Sequence, residues 1–114
     1  MTLKGDSYTV EYVKINNLIV FRGVLRLQGR EHYQQIYDLL VNSISDVESV
    51  LAIDMSKLEF LNSSGISSLC LFAIHLRDVP GKRVVITGSN SISWQAKSLA
   101  NLLKFTNKIK LTLI

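Results

Sequence analysis

The sequence predicts a single α/β domain over residues 1–114: an N-terminal β-hairpin, then alternating strands and helices, with a mixed sheet and the helices packed against it. Three observations lead there. Two β-branched and aromatic runs stand close together near the N-terminus, later segments carry apolar residues at helical spacing, and short continuous apolar runs separate those segments. With 114 residues, 47% hydrophobic and a single proline, the chain is large enough to bury one core and needs no second domain.

The elements follow in order. Tyr8 to Val13 alternates between side-chain classes, and Leu18-Ile19-Val20-Phe21 follows Asn16-Asn17, which reads as a hairpin with a short polar turn. Gly23 and Gly29 then punctuate a segment whose Leu25 and Leu27 can face inward. From Glu31 to Ser45, Tyr33, Ile36, Tyr37, Leu40, Val41 and Ile44 mark an amphipathic helix. Val50 to Met55 is apolar except for Asp54, as expected of a strand covered on both faces.

A second helix is expected from about Ser63 to Arg77, stopped by Val79-Pro80-Gly81. At about 100° per residue, Ile66, Leu69, Cys70 and Ala73 form its core stripe, with Leu71 and Phe72 outside it. Such apolar flanks are either wedged between neighbouring elements or offered to a partner. Val84 to Thr87 is the next strand, and Gly88-Ser89-Asn90-Ser91 turns into a third helix with Ser91 as its cap. There Ile92, Ala96, Leu99 and Leu103 form the core face, while Trp94 and Phe105 point away, to meet a partner or cover a sheet edge. Ile109 to Ile114 alternates partly and makes a final strand.

Asn62-Ser63-Ser64-Gly65 sits between the apolar strand and the second helix. Asn62 or Ser63 can serve simply as the N-cap. Free backbone N–H groups and the positive end of the helix dipole also gather there, so a phosphate on Ser63 or Ser64 would be tolerated electrostatically. The frame Asp54-Met55-Ser56, Leu58, Phe60, Leu61, Asn62-Ser63-Ser64-Gly65-Ile66 resembles the signature of the STAS family, the anti-sigma-factor-antagonist domain. The resemblance extends to Gly23-Val24-Leu25 and to Val84-Val85-Ile86-Thr87-Gly88 before the last helix.

That resemblance implies a free-standing regulatory binding module in a bacterial partner-switching pathway. Ser63, rather than Ser64, would be the phosphoacceptor of a partner serine kinase or anti-sigma factor, and a protein phosphatase would reset it. Asp54 and Gly65 would support the motif. The partner surface would comprise Asn62, Ser63, Ser64, Ser67, Ser68, Leu71, Phe72 and Arg26. Two residues depart from the family pattern: Asn62 and Arg26 stand where the family has Asp, and both departures remove a negative charge. The alternative is therefore a constitutive scaffold or signalling-complex subunit that phosphorylation does not regulate, in which Asn62 keeps the cap without its charge.

Other classes fit less well. The serine motif is not Gly-x-Ser-x-Gly, and His32 and His75, the only two histidines, are expected on surfaces, so no catalytic residue is assigned. No metal-ligand spacing links them to acids or Cys70, and no phosphate-binding fingerprint points to a cofactor. The net charge of +4 comes from scattered Lys and Arg, which favours an acidic partner without indicating nucleic acid. The single cysteine, Cys70, expected as a small buried helix residue, suits a reducing cytoplasm, and no apolar run is long enough for membrane insertion.

Overall fold

In the computed structural model, which describes residues 1–114, six strands lie in one sheet in chain order: β1 (Thr2–Lys4), β2 (Tyr8–Val13), β3 (Leu18–Leu25), β4 (Val50–Leu61), β5 (Arg83–Gly88) and β6 (Ile109–Leu113). The first three are antiparallel and β3 to β6 are parallel, so the sheet is mixed. Each parallel step is bridged by a helix: α1 (Arg30–Asp46), α2 (Ser63–Leu76) and α3 (Gln95–Ala100), the last extended by a 3-10 turn over Asn101–Lys104. Right-handed crossovers that always step in one direction place every helix on the same face. Accordingly α1 packs on α2, and α2 on the 3-10 turn.

This one-sided cover corrects the expectation for Val50 to Met55. Leu51, Ile53 and Met55 are buried beneath the helices, whereas Val50, Ala52 and Asp54 on the opposite face are only half-buried. The apolar run is long because Ala and Val tolerate a half-covered sheet face. The strand also runs on to Leu61, with register shifts against β3 between Val20 and Arg22 and between Gly23 and Val24. Asp54 serves the first shift: its Oδ1 accepts from the Ser56 amide at 2.9 Å and the Ser56 hydroxyl at 2.7 Å. The bulge frees Ser56 N–H from the ladder, and a carboxylate two residues back receives it.

The hairpin turn is a short 3-10 segment, Lys14–Asn16, closed by Asn17 at φ 51°. Asparagine is among the few non-glycine residues that adopt that region readily. Near this turn, Tyr12 Oη donates to Asp46 Oδ2 at 2.7 Å, and Lys14 Nζ lies 3.6 Å from Asp46 Oδ1. Desolvation, the hydrogen bond and the Asp46 charge push the Tyr12 phenol from its ordinary 10.0 to about 12. The bond from Tyr12 and the Lys14 charge hold the Asp46 carboxyl below its usual range despite some desolvation. A raised phenol stabilises the fold below its unfolded pKa and loses that contribution as pH rises through the folded one. Stability should therefore fall between pH 10 and 12, and Tyr12→Phe should flatten that decline in urea melts taken across the range.

Helix α1 follows its predicted stripe: Tyr33, Ile36, Leu40 and Ile44 are buried, joined by Leu39 and Ser43. Helix α2 is rotated from the predicted one. Gly65, Ser68, Leu69, Phe72, Ala73 and Leu76 are buried, whereas Ile66 and Cys70 are half-buried. The buried arc is turned by about 80° from the expected stripe. Small Gly65 and Ser68 face inward because α2 is flanked by α1 on one side and the 3-10 turn on the other. Phe72, only 2% exposed, and Ser68, 5% exposed, are thus wedged between elements, which corrects their assignment to an open partner surface.

The third helix is shorter than expected. Leu99 is buried as expected and Ile92 half-buried, but Ala96 and Leu103 are exposed, and Gln95 and Leu102 take the inward positions. Ser91 does not cap it; its amide donates to Ser89 Oγ, and the N-cap position is Trp94, which makes no side-chain cap bond. Trp94 and Phe105 do not project freely but are half-buried against the core.

Candidate functional site

Two ends meet at the site: the C-terminal end of β4 and the N-terminus of α2. β5 pairs with β4 only as far as Asp54, opposite Thr87, so the later β4 carbonyls lack a strand neighbour on that side. Side chains from the start of α3 replace it. Gln95, fully buried, donates from Nε2 to the carbonyls of Met55 at 2.6 Å and Leu58 at 2.9 Å, and its Oε1 accepts from the Ser89 amide at 2.7 Å. Trp94 Nε1 donates to the Glu59 carbonyl at 2.8 Å. The strand end that leads into the serine motif is therefore held from the side.

Asn62 then fixes the turn into the helix. Its Oδ1 accepts from the Gly65 amide at 3.1 Å and from Tyr33 Oη at 2.6 Å, while its Nδ2 donates to the Leu27 carbonyl at 2.8 Å. One amide thereby joins α2, α1 and the loop after β3. Only an amide supplies both the acceptor and the donor; a carboxylate in this position would face the Leu27 carbonyl with no hydrogen. Asparagine at this position therefore has a structural use. Burial raises the Tyr33 phenol above its ordinary range, which keeps it a donor to Asn62.

Gly65 is the close-approach residue of the turn. A Cβ there would stand 2.2 Å from Leu61 Cδ1 and 2.9 Å from Tyr33 Oη. We expect Gly65→Val to destabilise the domain by about 2 kcal/mol or more, read from urea midpoints, because both the strand end and the Tyr33 contact must move.

Ser63 occupies the first turn and is exposed; Ser64, beside it, is half-buried. The Ser63 and Ser64 amides have no intrahelical acceptor by position, and the first turn of α2 contains no acidic residue. A phosphate on Ser63 would thus meet the positive helix end without a repelling carboxylate in that turn. Ser67 is exposed further along, and Leu71 is half-buried toward α1.

Arg26 follows Leu25, which pairs with Leu61, and the backbone N–H of Asn62 donates back to the Leu25 carbonyl at 3.2 Å. The guanidinium of Arg26 lies 5.3 Å from the ring centre of Phe60, itself 42% exposed. The structure therefore gathers Arg26, Asn62, Ser63 and Ser64 at one end of the molecule and adds Phe60, Trp94, Gln95 and Tyr33 to the frame. Phe60 was legible only as part of the motif, and Gln95 carried no signal beyond being polar within a helical segment.

His32, at the start of α1, is exposed and contacts the Gln28 carbonyl through Nδ1; His75 is half-buried on α2. Burial raises the Cys70 thiol, which keeps it protonated and a poor nucleophile. No three His, Cys, Asp or Glu side chains converge as a metal-binding set would. No helix is long and apolar enough to cross a membrane.

No protein-family model matches the chain, and no curated protein matches it in sequence. Solved structures do match in shape. The complex of the diguanylate cyclase SiaD with its activator SiaC from Pseudomonas aeruginosa contains a chain similar at TM-score 0.74 and 12% identity, over 100% of this chain and 99% of that one. SiaC of Pseudomonas aeruginosa matches at TM-score 0.68 and 12% identity, over 100% and 98% of the two chains. Apo-SiaC from the same organism matches at 0.73 and 13%, over 99% and 96%. At such low identity the agreement establishes a shared fold, end to end.

Proposed function

We propose that this chain is a non-enzymatic regulatory module that binds signalling proteins in the cytoplasm, with phosphorylation of Ser63 controlling the binding. The observation that carries the reading is an exposed Ser63 hydroxyl at the first turn of a rigidly capped helix. Phosphoserine adds roughly −1.5 to −2 charges and three acceptor oxygens, which changes the contact surface while the cap network keeps the backbone in place. A partner serine kinase or anti-sigma factor would bind the unmodified form, phosphorylation would release it, and a phosphatase would restore it, as the STAS resemblance implies. The contact surface comprises Arg26, Asn62, Ser63, Ser64, Ser67 and Leu71.

Likeness to SiaC, described as the activator of a diguanylate cyclase, supports a regulatory role on the same fold and widens the partner class to signalling enzymes. A pull-down from the native host with wild type, Ser63→Ala and Ser63→Asp tests the switch. Ser63→Ala should retain the partner, and Ser63→Asp should weaken it by roughly tenfold, about 1.4 kcal/mol. Equal retention by all three favours the second reading, a constitutive scaffold. That reading is supported by the wholly structural use of the Asn62 side chain, which holds the motif in place without any charge.

A further inference from the structure

The two flanks of α2 differ. On the side facing α1, Ser68 and Leu71 join Arg30, Gln34 and Tyr37 in lining a cavity of about 140 Å³. The α1 residues recur at i, i+4 and i+7 and so stand one above another along a single helix face. A cavity of about 150 Å³ accommodates benzene, so this one has room for one side chain.

Charge distinguishes the possible occupants. Arg30 is exposed and carries the only charge among the lining residues, and Lys14–Asp46 is the one ion pair in the molecule, so no carboxylate neutralises Arg30. Asp38, on the same face of α1, is already engaged by Gln34 Nε2 at 2.8 Å. Tyr37 and Leu71 are half-buried and provide apolar contact. The net charge of +4 favours an acidic partner in the same sense.

We propose that the α1–α2 groove docks a segment of the signalling partner that presents a carboxylate to Arg30 and an aliphatic side chain to Tyr37 and Leu71. This rests on the reading of the chain as a protein-binding module. It extends the contact surface from Ser63 to the flank of α2 that carries Leu71, about 80° around the helix.

The test titrates isotope-labelled protein with blocked dipeptides, Leu-Glu, Leu-Gln and Leu-phosphoserine, followed by NMR. Leu-Glu should shift the Arg30 side-chain resonance and the Tyr37 and Leu71 amides, binding about fivefold tighter than Leu-Gln, as one partly exposed ion pair supplies. Arg30→Gln, an exposed and structurally neutral change, should bring Leu-Glu down to the Leu-Gln level. Equal binding of Leu-Glu and Leu-Gln, shifts confined to other surfaces, or preference for the phosphoserine probe overturns the proposal.

In the host pull-down, release of the partner by Arg30→Gln supports the groove. Retention by Arg30→Gln while Ser63→Asp releases the partner overturns the groove and leaves the regulatory reading standing. Release by Arg30→Gln with retention by Ser63→Asp supports the groove and removes phosphorylation control.

Discussion

Replacing Gln95 with alanine should destabilise the domain by about 3 to 4 kcal/mol, the largest effect expected from any single polar side chain here. The change leaves the Met55 and Leu58 carbonyls and the Ser89 amide without their partner, in a place where Gln95 is fully buried. Each buried group left unsatisfied costs roughly 1 to 3 kcal/mol, and the missing side chain adds a cavity. Urea denaturation followed by circular dichroism measures the loss. Gln95→Glu offers a sharper version: an ionised carboxylate would face two carbonyl oxygens, so the variant should be more stable in mild acid, where the side chain is neutral, than at pH 7. An alanine variant within about 1 kcal/mol of wild type would mean that the end of β4 is held by something other than this amide.

Asn62→Ala should cost about 3 kcal/mol and lower the melting temperature by roughly 10 °C. The loss combines an N-cap worth about 1 kcal/mol with the Tyr33 hydroxyl and Leu27 carbonyl left without their partner. Asn62→Asp separates the two roles. It keeps the cap and the Tyr33 acceptor and gains favourable charge at the helix N-terminus, but it sets a carboxylate against the Leu27 carbonyl. We expect it to recover about half of the alanine loss in thermal melts. Full recovery would show that the bond to Leu27 contributes nothing, and that the amide has no advantage over the acid at this position.

Most of the architecture was legible in the residues because periodicity reports directly on which face of an element is buried. Tyr33, Ile36, Leu40 and Ile44 marked α1 correctly, and Val84 to Thr87 lay within the observed β5. The misses share a cause. Gly65, Ser68 and Gln95 are small or polar residues on inward faces, where the deciding factor is a close helix contact or a carbonyl supplied by a distant strand. A hydrophobic stripe count discards them, which is why the observed α2 is rotated from the expected stripe and α3 is shorter than its apolar spacing suggests. The one-sided sheet was hidden for a related reason: Val50 and Ala52 are apolar, yet they occupy the face that no helix covers.

The candidate site divides in the same way. Ser63, Ser64 and the cap at Asn62 were readable because a helix start has a local signature. The three-way use of the Asn62 amide was not readable, since two of its partners, Tyr33 and Leu27, lie far away in sequence. The Arg26–Phe60 contact likewise depends on the parallel pairing of β3 with β4.

The most direct test of Ser63 as the switch is quantitative phosphopeptide mapping of this protein from its native host, carried out separately on the partner-bound and free pools. Phosphate on Ser63 in the free pool and its depletion from the bound pool is the result predicted here. Equal occupancy in the two pools, or no phosphate on Ser63 in either, would contradict it.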